Sequence, residues 1–273
     1  MKLCSLLVGL SSLVAVITSV SGVEIVAHRG ASYDAPENTM AATRLAWEQK
    51  ADAVETDIFL SKDGKLIVSH DRSGKRTAGR DVAFAEITQA EARTLDAGSW
   101  KNPKFAGEKI PLLEEQIASI PRGKRLLVEI KIGPEIVPEL ARVFAATGAS
   151  ERNITVISFN FDALQGVRKA LPKIPTLWLV GYRKPDPAKA PPAKMPPTVD
   201  EMIRDAKRAG LTGLDLQYTW PLTKQDVKKI KDAGLELHVW TVNDVAIARQ
   251  WVELGVASIT TDRPAWLREQ LKL

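Results

Sequence analysis

Eight short apolar runs rich in β-branched residues alternate with eight amphipathic helical patterns along 273 residues, and this alternation predicts an α/β fold, a (β/α)8 barrel. The length suits one barrel, and 45% hydrophobic with 26% charged residues is the composition of one globular domain. Carboxylates and a histidine also recur at strand ends, where barrels build their sites. A doubly wound open sheet shares the alternation and is the second reading, because periodicity carries no information on closure.

In chain order, the first 21 residues stand apart. Lys2 gives a short positive start, an apolar run follows from Leu6 to Val20 broken by Ser11 and Ser12, and Ser19 and Ser21 are small. The expectation is a secretory signal peptide over 1–21 and an exported barrel over 22–273, periplasmic or secreted. A spanning helix needs about 20 apolar residues, so no stable membrane insertion is expected after cleavage. Cys4, the single cysteine, precedes the apolar run and would leave with it. The mature chain then has neither thiol nor disulfide and depends on its core.

The strand candidates are EIVAHR from Glu24, AVETDIFL from Ala53, RLLVEIKI from Arg125, NITVISF from Asn153, PTLWLV from Pro175, GLDLQY from Gly213, LELHVWTV from Leu235 and ASITT from Ala257. Helical periodicity marks Asn38 to Gln49, Leu112 to Ile120, Glu135 to Thr147, Phe161 to Ala170, Val199 to Ala209, Lys224 to Ala233, Asp244 to Leu254 and Pro264 to Leu271. Two stretches break the rhythm. Arg72 to Lys109 (about 72–110) has polar turns and one short helix candidate around Thr88 to Thr94, and reads as a small insertion after the second strand. Tyr182 to Pro197 carries six prolines, which exclude helix and favour an extended loop. Both are expected over one barrel mouth.

Charge narrows the partners. Without Lys2 there remain 37 basic and 33 acidic residues, a formal +4 spread along the chain, too little for nucleic acid. The densest cluster, TKQDVKKIK near Lys224 to Lys231, places Val227 and Ile230 on one helical face and reads as a solvated helix surface.

The chemistry lies in HRG at His28 to Gly30, PENT at Pro36 to Thr39, ETD at Glu55 to Asp57, SHD at Ser69 to Asp71 and EIK at Glu129 to Lys131. Residues two apart on a strand face one side, so Glu55 projects with Asp57, and Glu129 with Lys131. Three carboxylates without a cysteine cluster specify hard oxygen ligation, hence one divalent cation, Ca2+ or Mg2+, at Glu55, Asp57 and Glu129. An ion-pair network with Arg29 and Lys131 is the competing explanation of the same carboxylates. His28 and His70 are the candidate general acid and base of phosphodiester cleavage, in either order, because imidazole titrates near neutral pH. Arg29 and Lys131 would offset phosphate charge. Trp240 either lines the pocket and stacks on a head group or fills the core. His238 reads as a satisfied barrel histidine, Asn38 as a helix N-cap, Glu37 as a residue orienting Arg29, and Asp262 as an indirect site partner or the cap before Pro264.

Together with TLDAGSWKNPKFAGEKIPLLEE, HVWTVN and SITTDRP, these blocks resemble, in order and from about Val26 to Pro264, the glycerophosphodiester phosphodiesterase family. The resemblance implies a TIM barrel with a small insertion after the second strand. It also implies metal ligands at Glu55, Asp57 and Glu129, catalytic histidines at His28 and His70, phosphate contacts at Arg29 and Lys131, and calcium or magnesium as cofactor. The implied reaction is hydrolysis of a small-molecule glycerophosphodiester, such as glycerophosphocholine or glycerophosphoethanolamine, to glycerol 3-phosphate and an alcohol. Two alternatives use the same scaffold. A phospholipase D of the sphingomyelinase D or lysophospholipase D type would need an apolar loading surface, for which the insertion offers Phe84, Ile87, Trp100 and Phe105. A non-catalytic phosphodiester-binding protein would have lost a histidine or a metal carboxylate, and none is lost.

Overall fold

The computed structural model describes residues 22–182 and 196–273. The expected signal peptide at 1–21 and all but the ends of the proline-rich loop lie outside them. Among the described residues nine strands form one sheet: β1 (Glu24–Ala27), β2 (Ala53–Leu60), β3 (Leu66–Val68), β4 (Arg125–Ile130), β5 (Ile154–Ser158), β6 (Thr176–Val180), β7 (Gly213–Gln217), β8 (Glu236–Trp240) and β9 (Ser258–Thr261). Their order is β1-β9-β8-β7-β6-β5-β4-β2-β3, and a further parallel β1–β2 pairing joins the ends. That pairing closes an eight-stranded parallel barrel and rules out the open sheet.

β3 lies outside the barrel. It pairs antiparallel with the far end of β2, with Ile58 opposite Val68 and Leu60 opposite Leu66. The turn between them is held by Ser61, whose backbone N–H donates to the Lys65 carbonyl at 2.8 Å. This hairpin has a consequence for the site: Glu55 and Asp57 lie inside β2 rather than at its end, because the strand runs on past the barrel rim.

The helices are α1 (Met40–Glu48), α2 (Lys75–Ala78), α3 (Gln89–Ala92), α4 (Leu113–Ala118), α5 (Val137–Thr147), α6 (Phe161–Ala170), α7 (Val199–Arg208), α8 (Lys224–Asp232), α9 (Val245–Leu254) and α10 (Pro264–Leu271). Side-chain caps fix where several begin. Thr223 accepts from the Asp226 backbone N–H while Asp226 accepts from the Thr223 N–H, and Thr198 and Glu201 repeat this box on α7. The cap of α1 is Thr39 and not Asn38, whose backbone is left-handed at φ 57° and whose side chain turns to the site instead.

Strand parity sorts the core into two shells. Ile25, Val54, Ile58, Leu126, Val128, Leu214 and Val239 belong to the large layer between barrel and helices. Val26, Ala53, Leu127, Ile157, Leu177 and Leu179, with Trp240 against them, fill the barrel interior. Residues two or four further along the first three of those strands share the interior direction, and they are His28, Glu55, Asp57, Glu129 and Lys131. His238 is buried with its Nδ1 2.7 Å from Ser258 Oγ, and is indeed a satisfied barrel histidine. In the insertion, Phe84 and Ile87 are core residues at 1% and 7% exposure. Two of the four side chains offered as a loading surface therefore hold the insertion against the barrel.

Candidate active site

The site begins with the turn after β1. Arg29 is left-handed at φ 56° and Gly30 at φ 80°. A Cβ on Gly30 would stand 2.6 Å from the backbone carbon of Ala42, so only glycine fits where this turn crosses α1. The turn aims the Arg29 backbone N–H at Glu55 Oε2, 2.8 Å away, and leaves the His28 ring facing the cavity.

Glu55, Asp57 and Glu129 are 3%, 1% and 8% exposed, and one oxygen of each lies within 4.8 Å of the others. Asn38 donates to Asp57 Oδ2 at 2.8 Å, and its own carbonyl accepts from Thr56 Oγ1 at 3.0 Å and the Asp57 N–H at 3.2 Å. Lys131 Nζ sits 2.7 Å from Glu129 Oε1 and 3.3 Å from Asp57 Oδ1. Arg29 reaches Asp57 Oδ2 at 3.4 Å and Glu37 Oε1 at 2.9 Å. The expected ion pairs are therefore present, yet they do not satisfy the cluster: Glu55 Oε1 is buried with no hydrogen-bond partner among the described residues.

The electrostatics agree. Burial, then the charges of Asp57 and Glu129, push the Glu55 carboxyl well above its ordinary range. Burial, then Asp57, raise Glu129 to about 8. Asp57 alone is held low, against its burial, by Lys131 and Arg29. Three buried carboxylates in mutual repulsion, with two nearby cations and with Glu55 Oε1 reached by neither, form an acidic triad able to bind a divalent metal.

Each candidate histidine is braced by a carboxylate. His28 Nδ1 lies 2.6 Å from Asp262 Oδ1, which also accepts from Ser32 Oγ at 3.1 Å, while Asn243 Nδ2 donates to Asp262 Oδ2 at 2.5 Å. Despite burial, the hydrogen bonds from His28, Asn243 and Ser32 hold Asp262 down to about 2. Asp262 is thus the indirect site partner, and the cap reading falls away. His70 Nδ1 lies 2.8 Å from Asp71 Oδ1, whose other oxygen accepts from Arg76 Nε at 2.7 Å. Arg76 Nη1 and Nη2 also donate to the two oxygens of Glu37, each at 2.7 Å. One guanidinium from the insertion thereby braces both the partner of His70 and the partner of Arg29. No signal in the sequence pointed to this, since Arg76 lies in no motif. Burial lowers the pKa of His70, which the Asp57 charge only partly restores.

His28, Arg29, Glu55, His70, Glu129, Lys131 and Trp240 line a single cavity of ≈ 200 Å³, with Ile157, Phe159, Leu179, Asp215, Thr241 and Thr260 completing it. Asp57 lies beneath it among the triad. All eight residues singled out from the sequence meet at one place. Trp240 is a pocket residue, with Phe159 edge-on at 5.4 Å between ring centroids and 88° between planes. Asp215, on β7, went unrecognised in GLDLQY. A lone acid inside an apolar strand was its only signal, and the side it faces depends on strand parity.

Residues 28–266 match the sequence model of the Glycerophosphoryl diester phosphodiesterase family. The chain is 33% identical over 250 residues to a glycerophosphodiester phosphodiesterase of Caldanaerobacter subterraneus subsp. tengcongensis, covering 89% of this chain and 95% of that one. It is 30% identical over 256 residues to a glycerophosphodiester phosphodiesterase of Bacillus subtilis, covering 88% and 83%. Among solved structures, an Oleispira antarctica phosphodiesterase in complex with the product sn-glycerol-3-phosphate superposes with a TM-score of 0.79 at 29% identity, over 92% of this chain and 97% of that one.

Proposed function

The chain belongs to the glycerophosphoryl diester phosphodiesterase family, and from that membership and its site we infer that it hydrolyses glycerophosphodiesters to glycerol 3-phosphate and an alcohol. The observation that carries the reading is the convergence of two carboxylate-braced imidazoles and a buried acidic triad on one small cavity.

Glu55, Asp57 and Glu129 would hold Ca2+ or Mg2+, and the orphaned Glu55 Oε1 supports that fit. A divalent ion bound there supplies positive charge to the non-bridging phosphate oxygens. Arg29 and Lys131 add to that field from either side of Asp57. Asp262 and Asp71 each hold one Nδ1, which leaves Nε2 as the ring nitrogen for chemistry in the cavity that both histidines line. One Nε2 takes the proton of the attacking oxygen and the other gives a proton to the departing alcohol as its bond to phosphorus breaks. The attacking oxygen is either water or a neighbouring glycerol hydroxyl, the latter giving a cyclic phosphate that water then opens. Export, to a periplasm or outside the cell, is proposed on the sequence of residues 1–21.

The test is glycerol 3-phosphate release from glycerophosphocholine and glycerophosphoethanolamine by purified protein. EDTA should abolish it and calcium or magnesium restore it. His28→Ala and His70→Ala should each lower turnover by at least about 100-fold with the fold retained. Release that persists in EDTA would refute the metal role, and no release with either cation would refute the substrate class.

A further inference from the structure

The two sides of the cavity differ in character. Facing the triad, the wall from β5 to β8 is apolar, formed by Ile157, Phe159, Leu179 and Trp240 with one exception. Asp215 is 1% exposed, lines the cavity, and has no hydrogen-bond partner for its Oδ1 among the described residues. An unpaired buried carboxyl oxygen is costly, and in this wall none of the described residues satisfies it. Trp240 Nε1 donates to the Asp215 carbonyl at 3.0 Å, which fixes the indole beside the carboxyl.

We propose that Asp215 is a substrate-binding residue that accepts a hydrogen bond from a hydroxyl of the substrate's glycerol moiety and so selects glycerol-bearing phosphodiesters. This rests on the glycerophosphodiester reading and adds to it the residue that recognises the glycerol. Glycerol has a carbon backbone and a hydroxyl edge. The fixed pair offers an indole for the first and a carboxyl for the second. Position in the cavity decides between the two ends of the substrate. Asp215 is on the enclosed side, whereas Phe159 across the indole is 49% exposed. The glycerol end is common to every substrate of the reaction and fits an enclosed subsite, while departing alcohols of different size need the open side. A site built to bond a hydroxyl also rejects an analogue that lacks it, because its own polar group is then left unpaired.

The experiment compares the metal-loaded wild type with Asp215→Ala and Asp215→Asn. Calorimetry measures the affinity for sn-glycerol 3-phosphate and for methyl phosphate, which share the phosphate but not the hydroxyls. Turnover of glycerophosphoethanolamine is measured alongside, and circular dichroism checks the fold. Asp215→Ala should weaken glycerol 3-phosphate binding by about 10- to 100-fold and leave methyl phosphate within about threefold. Asp215→Asn, which keeps an acceptor oxygen, should lose less. Equal losses for both ligands, or none for either, would overturn the proposal. So would unchanged glycerol 3-phosphate affinity with a loss confined to glycerophosphoethanolamine turnover, which would put the ammonium head group at Asp215. Wild-type protein that releases no glycerol 3-phosphate would instead refute the underlying reading.

Discussion

Replacing Asp262 by asparagine tests how the site orients His28. The carboxylate accepts from three donors: His28 Nδ1 at 2.6 Å, Ser32 Oγ at 3.1 Å and Asn243 Nδ2 at 2.5 Å. Asparagine has one acceptor oxygen, so its amide must face a donor on one side. Asn243 cannot turn to meet it, because its own Oδ1 already accepts from Thr261 Oγ1 at 2.8 Å and from the residue 262 N–H at 3.0 Å. If the new oxygen keeps His28, two amide groups collide; if it keeps Asn243, the imidazole loses its brace. Either way one charge-assisted hydrogen bond is lost, worth about 1.5–3 kcal/mol. At about 1.4 kcal/mol per tenfold, kcat should fall roughly 10- to 150-fold. The pair is partly exposed, with side chains at 21% and 34%, which favours the lower half of that range. The assay is the rate of glycerol 3-phosphate release at saturating metal, with KM and thermal unfolding measured in parallel. Ser32→Ala serves as a control that removes a contact to the same oxygen without disturbing the imidazole. The reasoning fails if Asp262→Asn keeps kcat within twofold of wild type, or if Ser32→Ala loses as much.

Metal uptake should release protons. Burial and Asp57 raise Glu129 to about 8 in the metal-free fold, so at pH 7 the triad still holds a proton that a cation must displace. Calorimetry in two buffers of different ionisation enthalpy should show protons released on metal binding at pH 7, with fewer released as the pH rises past 8; no release at pH 7 would refute the raised carboxyl. The same shift bears on stability. The folded value lies above the ordinary glutamate value of 4.5, so the metal-free fold binds a proton that the unfolded chain has lost. This contribution is full below 4.5 and declines as pH rises toward 8, and Asp215, raised to about 8 by burial and then Glu129, acts in the same direction. The metal-free melting temperature should therefore fall from pH 5 to pH 8, and calcium or magnesium should restore it. Gly30→Ala should destabilise the fold by at least about 2 kcal/mol, since its left-handed backbone and its contact with α1 both exclude a Cβ; a melting temperature within 1–2 °C of wild type, roughly the resolution of a thermal scan, would contradict this.

The sequence by itself determined the elements and the direction of their side chains. Both follow from local periodicity, which is why the ends of Phe161–Ala170 and Pro264–Leu271 match the sequence expectation and why Glu55 and Asp57, two apart, bring their carboxylates into one cluster. The short helix expected around Thr88 to Thr94 begins at Thr88, which the structure caps through Glu91 three residues on. Asn38 misled because asparagine suits both an N-cap and a left-handed turn, and only the proximity of Asp57, 19 residues away, selects the second. What the tertiary structure decided depends on partners distant in the chain. Closure comes from the pairing of β1 with β2 on one side and β9 on the other. That closure carries Asp262 across 234 residues to His28, and sets Asp215 against the triad. Strand periodicity fixes which way a side chain points, but the residue it meets there is set by the register and closure of the whole sheet.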